Sequence, residues 1–285
     1  MVMLFDTHCH LNFGSFDNNV GDVIAEAKQN GIYRIVVPAT DYDTSLKAIN
    51  IAKSQDHIFA AVGIHPHHVF EFQQKQTKNP EVKFDINSEI KKIEELLTDD
   101  KVVAVGEVGL DRHIYKKTKY PSYDVEEKFI DLQKEFLRIQ VELAVKHGKS
   151  LILHNREAGN DFIELMSLIH DRKLEGKTVF HCCEPDQKLL EYAKSHKFFI
   201  GVDGDIAYNK VKQEFVKSIP LDLLVLETDS PFLSPYRKFP NYPKNISYIA
   251  EFVANLLNIS FENLTKITTD NANGLFNLSP GNRGG

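Results

Sequence analysis

No run in the chain approaches the ~20 consecutive apolar residues needed to cross a bilayer, which excludes an integral membrane protein. Cysteine is scarce: there are three in 285 residues, two of them adjacent (Cys182 and Cys183). That set builds no disulfide framework and points to a reducing compartment. Met1-Val-Met-Leu-Phe5 leads straight into Asp6, without the basic, apolar and small-residue regions of a secretion signal. The cytoplasm is therefore the expected location. A basic excess is missing too. With 34 Lys and Arg against 40 Asp and Glu the net charge is −6, which argues against a broad basic surface wrapped by long duplex DNA. A nucleic-acid enzyme stays open, because bound metal cations supply positive charge locally. No Pro/Gly/Ser linker, internal repeat or low-complexity tract divides the chain. One domain is expected over residues 1–278, followed by a Gly-rich flexible tail at 279–285.

What is present is alternation. β-branched apolar runs at Leu4–His8, Ile32–Pro38, Ile58–Gly63, Val102–Val108, Ser150–Asn155, Thr178–Cys182, Phe198–Val202 and Leu223–Thr228 read as strands. Amphipathic stretches separate them at Val20–Asn30, Thr44–Ser54, Ile90–Leu97, Val125–His147, Asn160–Ile169, Gln187–His196 and Asn209–Ser218. Two more follow, at Ile246–Leu256 and Asn263–Leu275. In the longest, Phe129, Leu132, Phe136, Ile139 and Leu143 recur at helical spacing. Parallel neighbours need helical crossovers, so eight such units predict an α/β protein, a single-domain (β/α)8 TIM barrel. An open doubly wound sheet is the alternative, but no Gly-rich dinucleotide fingerprint follows the first strand. Pro66–Asn87, Arg112–Asp124 and Ser230–Asn245 read as irregular.

The strand ends carry the chemistry. They read Asp6-Thr-His-Cys-His10, Gly63-Ile-His-Pro-His67, Gly106-Glu-Val-Gly-Leu-Asp111, His154-Asn-Arg156, His181-Cys-Cys183 and Glu227-Thr-Asp-Ser-Pro231. In a (β/α)8 barrel these ends form the active-site face. Each piece has a plain reading by itself. Twelve His in 285 residues give roughly half a His-x-His pair by chance. His154 and His181 pass as core histidines, and Asp229 as a turn or N-cap residue. A lone buried Glu107, however, costs several kcal/mol unless paired or metal-bound. Four His, one Glu and one Asp at one barrel mouth together predict a metal site, with the mixed imidazole and carboxylate set suiting Zn, Mn, Fe or Ni better than Mg. By strand alternation Cys9 and Cys182 point away from the neighbouring histidines, and Asp203 and Asp205 read first as turn residues and second as ligands for an extra cation.

These segments, with His154-Asn-Arg-Glu-Ala158, Glu227-Thr-Asp-Ser-Pro-Phe-Leu233, Asn241-Tyr-Pro243 and Asn271-Ala-Asn-Gly-Leu-Phe276, resemble in order the TatD family of metal-dependent deoxyribonucleases, amidohydrolase-like TIM barrels. The resemblance implies two divalent metal ions (Mg²⁺, Mn²⁺ or Zn²⁺). His8, His10 and Asp229 would hold one, His154 and His181 the other, and Glu107 would bridge them. His65 would contact a substrate phosphate, Arg156 would be a further phosphate contact, and Asp229 would serve as base toward the attacking water. The chain departs from the family pattern at Arg112-His113, Cys182-Cys-Glu-Pro-Asp186 and Gly201-Val-Asp-Gly204, all near the mouth. The implied activity is a 3′→5′ exodeoxyribonuclease acting as a monomer on single-stranded or frayed 3′ ends. The alternative is deacylation of D-aminoacyl-tRNA by the same metals; a small-molecule amidohydrolase is disfavoured because strand four offers Glu107 rather than a carboxylated lysine. No motif of a dedicated RNA- or DNA-binding module is present.

Overall fold

In the computed structural model, which describes residues 3–78 and 86–279, eight strands follow one another around a single parallel sheet in the order β1 to β8. The elements run β1 (Leu4–Asp6), α1 (Val20–Gln29), β2 (Ile32–Pro38), α2 (Tyr42–Lys53), β3 (Ile58–Val62), α3 (Pro66–Lys78), α4 (Ile86–Leu96), β4 (Val102–Asp111), α5 (Glu127–His147), β5 (Ser150–Arg156) and α6 (Gly159–Ile169). They continue with β6 (Thr178–Phe180), α7 (Gln187–His196), β7 (Phe199–Val202), α8 (Lys210–Val216), β8 (Leu224–Leu226), α9 (Ile246–Leu257) and α10 (Phe261–Leu275). The last strand meets the first. Thr7 N donates to Leu226 O at 3.2 Å, Asp229 N to His8 O at 2.8 Å, and His10 N to Ser230 O at 2.8 Å. The result is the expected single-domain (β/α)8 TIM barrel. No described helix is long and apolar enough to cross a membrane.

Each strand gives one side chain to the barrel interior: Phe5, Val36, Ala61, Ala104, Ile152, Val179, Phe199 and Val225, all buried. Ala272, Leu275 and Phe276 of α10 and its C-terminus pack on this layer, and Ser150 at the start of β5 bonds Leu275 O. The end where the strands begin is thus filled. Two residues beyond this layer stand His154, His181 and Glu227, and four beyond it His65, Asp203 and Asp229, so the strand period starts this polar set above an apolar floor. The larger core lies between sheet and helices. Helix α5 also ties two strand ends. Gln133 bonds both backbone groups of Asp111, at 2.8 and 3.0 Å, and Gln140 does the same for Ile64, at 2.7 and 3.1 Å. Seven residues apart, the two glutamines share one helix face.

The expected segments are found with shifted ends. β4 runs on to Asp111, and β1, β6 and β8 stop short of His8, Cys182 and Thr228 as ladder strands. Pro66–Asn87 is not wholly irregular: α3 starts at Pro66 and α4 already includes Asn87. Proline suits the first helical position, where its missing N–H costs nothing, and Val69 and Phe70 supply the buried face. Residues 79–85 of that segment, and the expected tail beyond Ser279, lie outside the described residues.

Candidate metal centre

Glu107 is the hub. Its carboxylate is buried at the end of β4, and its two oxygens face different partners. Oε2 lies 3.4 Å from both His8 Nε2 and His10 Nε2. Oε1 lies 2.7 Å from His154 Nδ1, 2.7 Å from His181 Nε2 and 3.1 Å from His65 Nε2. Asp229 closes the first group, its Oδ1 3.6 Å from His8 and 3.4 Å from His10. Every residue expected as a metal ligand is therefore brought together. His65 approaches more closely than a rim position implies, standing with Glu107 and His154 in one cluster of ligand atoms. Arg156 does not reach the hub; it donates to Tyr115 Oη at 3.3 Å.

These donors fit divalent cations. The Nε2 atoms of His8 and His10 converge at 3.2 Å, and His8, His10 and Asp229 form a ligand cluster. Protonated imidazoles can also supply positive charge to these carboxylates. Burial lowers the His10 and His154 rings, but hydrogen bonds and charge from Asp229, Glu107 and Asp111 outweigh it and hold them near 9 and 10. Burial, with the charge of His181, pushes His8 down to about 3. For Glu107 burial acts upward, but the surrounding imidazoles prevail and hold the carboxyl well below its usual range.

Further residues complete the arrangement. Asp111 Oδ2 accepts from His154 Nε2 at 3.2 Å and from Tyr115 Oη at 2.7 Å, which fixes the ring that faces Glu107. Its spacing from Glu107, four residues along one strand, was the available sequence signal. Glu227, fully buried, shares a ligand cluster with His8 and His181, whose Nδ1 atoms have no hydrogen-bond partner. Burial pushes its carboxyl up to about 7. The bare backbone of Gly201 makes room for it, since a Cβ there would sit 2.5 Å from both Glu227 oxygens.

Cys182 corrects an expectation. It does not point away from His181; its sulfur clusters with His181 and Asp229. β6 ends at Phe180, and a φ of 43° at Cys182 breaks the alternation on which the expectation rested. Cys9 is buried in the apolar core. Asp203 caps a 3₁₀ turn by accepting from Asp205 N, and both carboxylates pair with buried Lys212, at 2.5 and 2.6 Å. That pairing supports the turn reading.

A family model described as TatD related DNase matches residues 5–277. The chain belongs to the TatD family. It is 34% identical to the uncharacterised metal-dependent hydrolase YabD of Bacillus subtilis, over 97% of this chain and all of the relative. It is 31% identical to mouse TATDN3, a candidate deoxyribonuclease by name, over 96% of this chain and 88% of that one. Among solved structures, the TatD homologue YjjV of Escherichia coli superposes with a TM-score of 0.80 at 24% identity, covering 98% of this chain and 100% of that one, a likeness of fold.

Proposed function

We propose that this TatD-family metal-dependent hydrolase is a 3′→5′ exodeoxyribonuclease that removes mononucleotides from single-stranded or frayed DNA ends. The observation that carries the reading is the split carboxylate of Glu107, one oxygen toward His8 and His10 and the other toward His154 and His181. These residues would suit two divalent cations: His8, His10 and Asp229 would hold one, His154 and His181 the other, and Glu107 would serve both. Such a pair supplies Lewis acidity, activates water at neutral pH and neutralises charge on a phosphodiester. The chain's own groups do the rest. Asp229, at the inner edge of the mouth, takes the proton of the attacking water. His65 orients a non-bridging phosphate oxygen, and Arg156, over the Tyr115 ring, draws the phosphate toward the hub. Asp111 holds the His154 ring in place throughout.

The test is a time course on a 5′-labelled single-stranded oligonucleotide after metal stripping and reloading with Mg²⁺, Mn²⁺ or Zn²⁺. A ladder shortening from the 3′ end is expected. Cuts within a closed single-stranded circle overturn the exonuclease reading. No DNA cleavage together with release of D-tyrosine from charged tRNA moves the assignment to a deacylase.

A further inference from the structure

The mouth of the barrel is electrically lopsided. On the β5–β6 side, Glu157, Glu184 and Asp186 line a cavity of about 590 Å³. Of the cations beside them, Arg112 is committed to Glu127 and Asp161, at 2.6 to 3.0 Å, and Lys188 to Asn160. On the β4 side the sign reverses. The segment 113–123 reads His-Ile-Tyr-Lys-Lys-Thr-Lys-Tyr-Pro-Ser-Tyr, with three lysines and no acid. Lys116, Lys117 and Lys119 are exposed, and Lys116 and Lys117 have no ion-pair partner among the described residues. Lys119 stands 5.2 Å above the Tyr120 ring, in the field of Asp41.

The aromatic residues of this segment are its anchors. Tyr120 is buried, and its hydroxyl lies 2.8 Å from His68 Nδ1; the Tyr115, Tyr120 and Tyr123 rings surround His67 at 4.8 to 5.1 Å. Thr118 Oγ1 bonds His67 Nε2 at 2.8 Å. With its tyrosines held down, the segment presents its lysines upward. It also begins at the hub, because Tyr115 bonds Asp111, which bonds His154, and Arg156 stacks on Tyr115. Free lysines thus run outward from the centre beside β4, while Glu184 and Asp186 line the β5–β6 side, where Glu157 pairs with His113 at 2.6 Å.

We propose that residues 115–119, with Arg156, form the track for the sugar–phosphate backbone of a single DNA strand leaving the metal centre, a placement that rests on the exonuclease reading above. Lys116, Lys117 and Lys119 each face a phosphate, and the acidic β5–β6 rim keeps the strand off the other side. Single strands lose affinity with salt at a slope of about −0.7 per phosphate contacted. Replacing all three lysines therefore makes the slope shallower by about 2, which is about 20-fold less affinity lost between 50 and 200 mM salt.

The experiment compares the metal-loaded protein with its K116A/K117A/K119A variant. Anisotropy is measured on a labelled phosphorothioate oligothymidylate across salt, and hydrolysis of bis(p-nitrophenyl) phosphate is measured alongside. The variant is expected to bind the oligonucleotide at least tenfold more weakly at low salt, with the shallower slope, and to hydrolyse the small diester within twofold of the parent. An E184Q/D186N change on the opposite rim is expected not to weaken binding. Unchanged affinity and slope in the triple variant overturn the track, as does an equal loss on the small diester. If the parent cuts oligonucleotides and the triple variant binds and cuts them equally well, the track falls and the exonuclease stands. If binding depends on the lysines but no metal supports cleavage, the track stands and the exonuclease falls. Lysine-dependent binding of tRNA with lysine-independent binding of the oligonucleotide also overturns it.

Discussion

Glu107→Gln keeps the shape of the hub and removes its charge. In the cation-free protein five imidazoles stand 2.7 to 3.4 Å from that carboxylate. Removing one partner of a buried, hydrogen-bonded charge group costs about 3–5 kcal/mol. The pH window follows from the shifts. Raised histidines stabilise the fold fully below their unfolded value of ~6.5, and that contribution fades as pH rises through about 9 for His10 and about 10 for His154. The lowered Glu107 contributes above its unfolded value of ~4.3 and loses this as pH falls further. The stability gap between parent and variant is therefore widest near pH 6 and closes toward pH 10. His8 and His65, lowered chiefly by burial, weaken both proteins below ~6.5, and the variant more, because Glu107 raises both rings; this adds to the gap on the acid side and leaves its closure toward pH 10 unchanged. Thermal unfolding of metal-stripped protein reads it: at about 3 °C per kcal/mol, a gap of roughly 10 °C is expected at pH 6. With cations restored, the variant should bind them at least ~100-fold more weakly, since even outer hydrogen-bond partners of metal ligands are worth 10–100-fold. A gap equal at pH 6 and pH 10, or parent-like metal affinity, refutes the hub.

Two further outcomes follow from the same geometry. His10 and His154 carry protons at pH 7 in the cation-free site and must lose them to become ligands, so loading should release about two protons per chain; an indicator in weak buffer measures this, and no release contradicts the assignment. Gly201→Ala forces a Cβ against the Glu227 carboxylate, and should cost about 1–3 kcal/mol in urea unfolding and lower metal affinity, whereas a neutral outcome shows that Glu227 can move away freely.

The barrel was legible because strand and helix periods alternate without interruption, and the ligands were legible because a barrel gathers its strand ends. What escaped depended on geometry that spacing does not encode. Helix α3 is short on apolar positions, and its first-position proline resembles a loop signal. Cys182 turned inward once the ladder stopped at Phe180. Glu227 was visible as a letter, but its burial between two histidines needed the bare backbone of Gly201 opposite. Lysines and tyrosines of the loops were legible as candidate phosphate contacts, but a net charge of −6 does not single out those of 116–119.

The circle of strands has one seam where chain continuity gives no help, between β8 and β1. His8 and His10 stand on one bank and Asp229 on the other, joined by a few backbone bonds between residues more than two hundred positions apart. A cation shared by these three, as proposed above, would act as a rivet through that seam. It binds only when both ends of the chain are in place, so its binding free energy is added to the closed barrel and withheld from any form in which the first or last strand has peeled away. Chelation should accordingly loosen the protein from its two ends inward, leaving β4 and β5, in the middle of the strand order and paired to each other, as the last strands to open.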